Sequence, residues 1–585
     1  MCLVVLLTVL AYASSTLGVP ELLGRCSVRA CTEAGWVCGA RRVTNDGLEY
    51  ASFRGVPYAK QPIGELRFKE LEPLEPWSYW YDATVEGPIC PQRDVLYGRL
   101  MQPRGMSESC IHANIHVPLD ALPVYQKQIT SLESPHQAGI DSDENVTESG
   151  LPVVVFIHGG GFAFGSGDSD LHGPEYLVGK RVIVISFNYR LNVFGFLSLN
   201  TTSIPGNNGL RDMITLLRWV KTNVKSFGGN PNNVTLAGQS AGAASAHLLS
   251  MSDAAKGLFN RVWLMSGVGS TNFFTTSPAY AQFVANILLG VLGINSTDPE
   301  DVHQQLINTP IDKIVEANAY ILDLIGATTF VPVVESPLPG VTAILTDDPE
   351  ILVTKGHGKD YPIVIGFTDV ECETFRPRFE QVDIISQIKV TPTLVVPLQL
   401  IYTMPPNVVQ SVSDAIHDRY FNGTVDMDGF VRLCSDSNFI YPAIKLATTR
   451  AALDGAPVFL YQFSYNNDYS VIKQGLDISF KGAGHIEDLT YIFRSNSILG
   501  RDSIFSKDYQ EPMKDWMTMF FTNFVYSSQP SNSGYGDDTW PTLNNGELRY
   551  QNIVTPGIYN YKNATEKQLA MKRFFDSLVK NNKRT

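Results

Sequence analysis

Three apolar runs constrain this chain more than anything else in it. LPVVVFIH (151–158) and RVIVISFNY (181–189) are continuous and rich in β-branched residues, and NNVTLAG (232–238) is a third. A strand wetted on one face alternates apolar and polar residues, so a run without alternation predicts cover on both faces. LRDMITLLRWVKTNV (210–224) repeats apolar residues at helical spacing, and AGAASAHLLSM opens another helix straight after the third run. Strand, strand, helix, strand, helix implies a parallel sheet with crossover helices. Further strands are read at YPIVIGF (361–367) and PVFLYQFSY (457–465). Residues 40–120 read as short strands and turns, 124–150 as a polar surface insertion, and 380–450 as mostly helical, a cap over the sheet's C-terminal edge. Neither an internal repeat nor a Pro/Gly/Ser linker divides the chain. The expected class is α/β: one domain over 19–585, with a large, mixed, mostly parallel central sheet, helices on both faces and helical cap insertions.

With 585 residues, 44% of them hydrophobic, the chain can bury a large core, and its net charge of −13 speaks against a nucleic-acid partner. MCLVVLLTVLAYASSTLG opens it, with an apolar stretch from Leu3 to Ala13 that is too short to span a bilayer and is followed by small residues. This predicts a signal peptide over residues 1–18, although no positive charge precedes the stretch. No later run reads as a membrane anchor, so a secreted protein is expected. Cys2 would leave with the signal, and the seven cysteines that remain predict at least one free or externally paired thiol. No C-x-x-C pair points to a metal, and no cofactor is implied. Sequons start at Asn145, Asn200, Asn295, Asn422 and Asn563, which are glycosylation candidates, and at Asn233, which precedes a buried strand and is the least suited.

The chemistry centres on Ser240 in GQSAG (238–242). By chance a chain this long carries G-x-S-x-G about 0.2 times, so the five letters alone decide nothing. Their setting decides more: Ser240 ends a buried strand and opens a helix, as a nucleophile elbow requires. Gly238 and Gly242 let the backbone turn sharply, and Ala241 turns its N–H towards the site at the positive end of the helix. Upstream, FIHGGGFAFGSG (156–167) places three glycines directly after a strand, where backbone N–H groups can reach a developing oxyanion. A serine also needs a base, and in this arrangement the order is Ser, acid, His. His485, in the Gly-rich loop KGAGHIED, is the candidate base; Asp369, Glu371 and Glu373, just past a strand, are candidate acids, and the residues alone do not choose among them.

At this point the chain resembles the type-B carboxylesterase/cholinesterase family of the α/β-hydrolase fold, over nearly the whole mature length. The resemblance is carried by FRGVPYAKQPIGELRF (53–68), MSESCIHANIHVP (106–118), HGGGF, ISFNYRLNVFGFL (185–197), GNNGLRDMITLLRWV (206–220), FGGNPNNVTLAGQSAG (227–242), LMSGVGS (264–270) and GAGHIED. It implies a Ser240–Glu371–His485 triad, oxyanion donors at the N–H groups of Gly160, Gly161 and Ala241, and a supporting Ser266 that hydrogen-bonds near the acid. It further implies a Cys90–Cys110 disulfide and buried Arg67–Glu108 and Arg190–Asp212 ion pairs. Cys372 and Cys434 are a candidate second disulfide.

The departures narrow the reading. Gln239 stands where the family usually has Glu, which resembles the insect branch, the juvenile hormone esterases and lepidopteran antennal esterases. Ser109 and His112 replace commoner residues, and Leu100 takes the place of the cholinesterases' cation-binding Trp, so a quaternary ammonium substrate loses its cation–π partner. Met213 and the acid loop TDVECETFR depart from the hormone-esterase pattern, so the sequence leans towards a broad or odorant-type enzyme. The expected function is a secreted serine hydrolase of small to medium apolar esters: odorant or pheromone acetates, xenobiotics, or juvenile hormone. The alternative is a catalytically silent, neuroligin-like adhesion protein. The partner is a small-molecule ester, and the oligomeric state is not legible.

Overall fold

A computed structural model of the protein describes residues 26–44, 46–101, 105–123, 150–325, 329–499, 511–531 and 539–582. The expected signal peptide, most of the 124–150 insertion and Asn145 lie outside them.

Among the described residues, thirteen strands form one sheet. In chain order they are β1 (Val28–Cys31), β2 (Trp36–Val43), β3 (Glu49–Pro57), β4 (Tyr81–Asp82), β5 (His112–Pro118), β6 (Leu151–Ile157) and β7 (Ile183–Phe187). Then follow β8 (Gly229–Gln239), β9 (Arg261–Met265), β10 (Ile363–Thr368), β11 (Val458–Phe463), β12 (Arg549–Ile553) and β13 (Tyr561–Asn563). The spatial order is β1-β2-β3-β5-β7-β6-β8-β9-β10-β11-β12-β13, with β4 beside β2. From β7 through β12 every pairing is parallel; the pairings from β1 to β7 along the path, and β12 with β13, are antiparallel. The mixed, mostly parallel sheet is the one expected.

The unalternating runs have the predicted cause. Val153, Val155 and Ile157 of β6 enter one core, whereas Val154 and Phe156 enter another. The same division recurs in β9, where Val262 and Leu264 face one way and Trp263 and Met265 the other. Each apolar side chain so buried contributes about 1.5–3 kcal/mol. Helices Asn208–Asn223, Ala241–Met251 and Tyr441–Ala451 supply residues to the first core, and helix Glu511–Ser527 supplies Met513, Met517, Phe520, Phe521 and Phe524 to the second. Residues 376–451 are mostly helical, as read.

Two family-type ion pairs hold loops. Arg67 meets Glu108 through two hydrogen bonds of 2.6 Å and also donates to the carbonyls of Leu306, Ile307 and Thr309. Arg190 pairs with Asp212 at 2.6 and 2.8 Å. Both pairs are buried, so removing one partner would strand a charge. Cys90 is bonded to Cys110, Cys372 to Cys434, and Cys26 to Cys38. Cys31 is also disulfide-bonded, so the expected free thiol is not found among the described residues.

Candidate active site

A tight strand-to-helix elbow forms where β8 stops. Gln239 is its last residue, Ser240 caps the following helix, and Ser240 adopts φ 57°, ψ −124°. That conformation is sparsely populated for a residue with a side chain and costs on the order of 1–3 kcal/mol. It is held by the Ser240 N–H donating to the carbonyl of Met265 at 2.8 Å and by Ser240 O accepting from Ala244 N–H at 2.9 Å. Gly242 is required by close approach: a Cβ there would sit 2.0 Å from Ile157 O.

The glycine loop leaves β6 beside this elbow. Gly160 and Gly161 have φ values of 112° and 60°. Among the described residues, the N–H groups of Gly160, Gly161 and Ala241 donate to no protein acceptor. His158, ahead of the glycines, is structural. Its ring stacks on Tyr189 at 4.4 Å, and burial pushes its pKa down to about 4, so it is neutral.

The other side of the site comes from two distant loops. The His485 Nδ1–H donates to Glu371 Oε2 at 2.6 Å, and Glu371 Oε1 accepts the Thr368 N–H at 2.7 Å. Both residues are fully buried. The three acids left open by the residues alone are separated by geometry. Glu373 pairs with Arg376 at 2.7 Å, and Asp369 accepts the Ala483 N–H at 2.7 Å, so only Glu371 reaches the imidazole. The backbone joins the loops as well, because the His485 N–H donates to Glu371 O at 3.1 Å.

Further carboxyl groups support the histidine loop, among them Asp369, read as a candidate acid, and Asp488, which closes the motif around His485. Asp488 accepts the Tyr461 hydroxyl at 2.7 Å, and Glu487 accepts the Gly484 N–H at 2.5 Å. Burial pushes Asp369 and Asp488 up to about 6 and Glu487 up to about 7. Lys473, itself buried, donates to Gly482 O at 2.8 Å in the same loop. Phe375 and Phe439 lie against the His485 ring, with centroids 5.1 and 4.7 Å away, and Phe439 continues into Phe273 and Phe274.

Two details differ from the family expectation. Ser266 is buried at φ 51° beside the site, but its Oγ has no protein partner; only its N–H is engaged, donating to Gly366 O at 2.9 Å. The positive φ leaves the backbone, not the hydroxyl, as its link to β10. The His485 Nε2 faces Gln239 Nε2 at 3.0 Å, and Ser240 Oγ makes no hydrogen bond among the described residues. Elsewhere, Asn200, Asn295, Asn422 and Asn563 are exposed, whereas Asn233 accepts from Arg261. Leu100 is fully buried, and so is Met213, which packs in the first core. No group of residues able to hold a metal occurs among those described.

Known proteins match this chain over most of its length. The Carboxylesterase family matches residues 27–571. A juvenile hormone esterase of Heliothis virescens is 51% identical over 577 residues, 98% of each chain. A carboxylic ester hydrolase of Bombus ignitus is 29% identical over 94% of each chain. The crystal structure of juvenile hormone esterase from Manduca sexta, with OTFP covalently attached, superimposes with a TM-score of 0.87 at 56% identity, covering 94% of this chain and 99% of that one. Fold, site and relatives agree: the chain belongs to the carboxylesterase family and is an ester hydrolase on the α/β-hydrolase fold.

Proposed function

We propose that this protein is a secreted serine esterase that cleaves apolar carboxylic esters of the juvenile-hormone type through an acyl-enzyme on Ser240. The observation that carries the reading is the meeting of a strained serine elbow with a buried Glu371–His485 pair at 2.6 Å, beside three N–H groups with no protein acceptor. In this reading His485 Nε2 removes the Ser240 proton and Oγ attacks the ester carbonyl carbon. The carbonyl oxygen becomes an oxyanion held by the N–H groups of Gly160, Gly161 and Ala241. Collapse breaks the ester C–O bond, and the leaving alkoxide takes the proton from the imidazolium and departs as the alcohol. Water, deprotonated by His485, repeats the cycle and releases the carboxylic acid. Glu371 fixes the tautomer and stabilises the imidazolium.

Two lines support the substrate class. The aromatic wall of Phe375, Phe439, Phe273 and Phe274 favours an apolar ester, and two relatives of high identity are named juvenile hormone esterases. The lean towards an odorant enzyme rested partly on Met213, whose side chain packs in the core. It reports packing rather than substrate. Secretion is supported by the apolar N-terminal stretch and the disulfides.

The test is a kcat/KM panel of juvenile hormone methyl ester, volatile acetates and p-nitrophenyl acetate, with Ser240→Ala as control. The hormone ester should lead, and Ser240→Ala should lose about 10⁴- to 10⁶-fold. Preference for acetates would favour the odorant reading. No turnover of p-nitrophenyl acetate by the wild type would favour the adhesion-protein alternative.

A further inference from the structure

Gln239 is buried at the end of β8, next to Ser240 in sequence, and its amide nitrogen lies 3.0 Å from His485 Nε2. Glu371 takes the proton on Nδ1. In the neutral imidazole Nε2 is then a lone pair, and only a donor fits against it. A glutamine amide supplies that donor; an ionised glutamate does not. The other end of the amide is equally constrained. Oε1 has no hydrogen-bond partner and faces Gly159, where a Cβ would stand 2.6 Å from it. The amide is thus wedged between the first residue of the glycine loop and the base, in the position the Ser240 hydroxyl must share.

We propose that Gln239 is a positioning residue that holds the Nε2 lone pair of His485 in the resting enzyme and yields it to the Ser240 hydroxyl when an ester enters. The inference rests on the reading of His485 as the base. Its consequence is read by comparing the acid limb of the activity profile with that of variants at this position. The charged and titratable groups around His485 are Glu371 at Nδ1, Asp488 three residues along the same loop, and, one step further out, Asp369, Glu487 and Lys473. The rings of Phe375 and Phe439 lie against the imidazole, and the Thr374 hydroxyl donates to the His485 carbonyl at 3.1 Å. On the Nε2 side the contact is Gln239, which is neutral. A carboxylate there would accept from Nε2–H and favour the imidazolium, which cannot take the serine proton.

The experiment compares wild type, Gln239→Glu and Gln239→Leu by the pH dependence of kcat/KM and of the rate of serine phosphonylation by an organophosphate. Glutamate should move the acid limb to higher pH by about one unit or more, because an opposite charge at this range stabilises the imidazolium. The kcat/KM at pH 6 should then fall about tenfold beyond any loss at pH 9. Leucine, which removes the donor without adding a charge, should move the limb the same way by less. Acid limbs of both variants that coincide with the wild type, with only a uniform loss, would reduce Gln239 to a packing role. A wild type that is not phosphonylated at all would instead sink the reading of the site itself.

Discussion

The two halves of this site are built differently. The β6–β8 half is made of backbone: a strained serine, a glycine loop and N–H groups with no protein acceptor, all within short stretches of sequence. The β10–β11 half is made of side chains that meet across the chain: Glu371 on His485 and Asp369 on Ala483, each pair 114 residues apart, and Tyr461 of β11 on Asp488, 27 residues further on. The first half is fixed by what a glycine or a turn permits, and the second by which buried groups find partners. Damage to the first should therefore act on transition-state stabilisation with little pH dependence. Damage to the second should act through protonation and loop position.

Apart from removal of the Ser240 hydroxyl itself, the largest effect should come from the side-chain half. In Glu371→Gln the amide oxygen can keep the Thr368 N–H, which leaves the NH₂ facing His485 Nδ1. That forces the imidazole proton onto Nε2, the wrong tautomer for accepting the serine proton. A loss of about 10⁴-fold in kcat is expected, with KM nearly unchanged. A loss under tenfold would show that Glu371 does not set the tautomer.

The backbone half should be broken by Gly160→Ala. A Cβ there would lie 1.9 Å from Phe164 O, at a φ of 112° that side chains rarely adopt. The loop must shift and misaim its N–H groups. A drop of about 10²- to 10³-fold in kcat, the same at every pH, is expected from steady-state profiles. A pH-dependent loss would blur the distinction between the halves.

This division also explains what the sequence revealed. β6, β7, β8, β10 and β11 were legible because two-sided burial writes an unbroken apolar run. β12 (RYQNI) and β13 (YKN) were not, since both are short and rich in polar residues, and β13 lies at the sheet edge. The elbow and the glycine loop were legible as local spacing. The carboxylate that meets His485 was not, because Asp369, Glu371 and Glu373 are alternate residues of one loop and only the backbone turn chooses which one reaches the imidazole; the family resemblance pointed to Glu371. The 246-residue separation of Gln239 and His485 left no local pattern, and neither did the Tyr461–Asp488 contact.

The smallest effect tests the support beneath the side-chain half. Burial pushes Asp488 up to about 6, and the Tyr461 hydroxyl opposes this by donating to its carboxylate. A carboxyl whose folded pKa exceeds its unfolded value of about 3.9 contributes stability that is complete below that value and lost as pH rises through 6. Tyr461→Phe removes the donor, raises the folded pKa further and extends that loss above pH 6. The substitution should cost about 1 kcal/mol near pH 5, where Asp488 is largely neutral and only one hydrogen bond is forfeited. Towards pH 8 the cost should grow by about 1.4 kcal/mol for each further unit of pKa. Urea denaturation of wild type and variant at both pH values measures the difference. A cost that is the same at pH 5 and pH 8 would mean that the phenol packs against β10 without stabilising the Asp488 charge, and that the histidine loop is held by Glu487 and Lys473 instead.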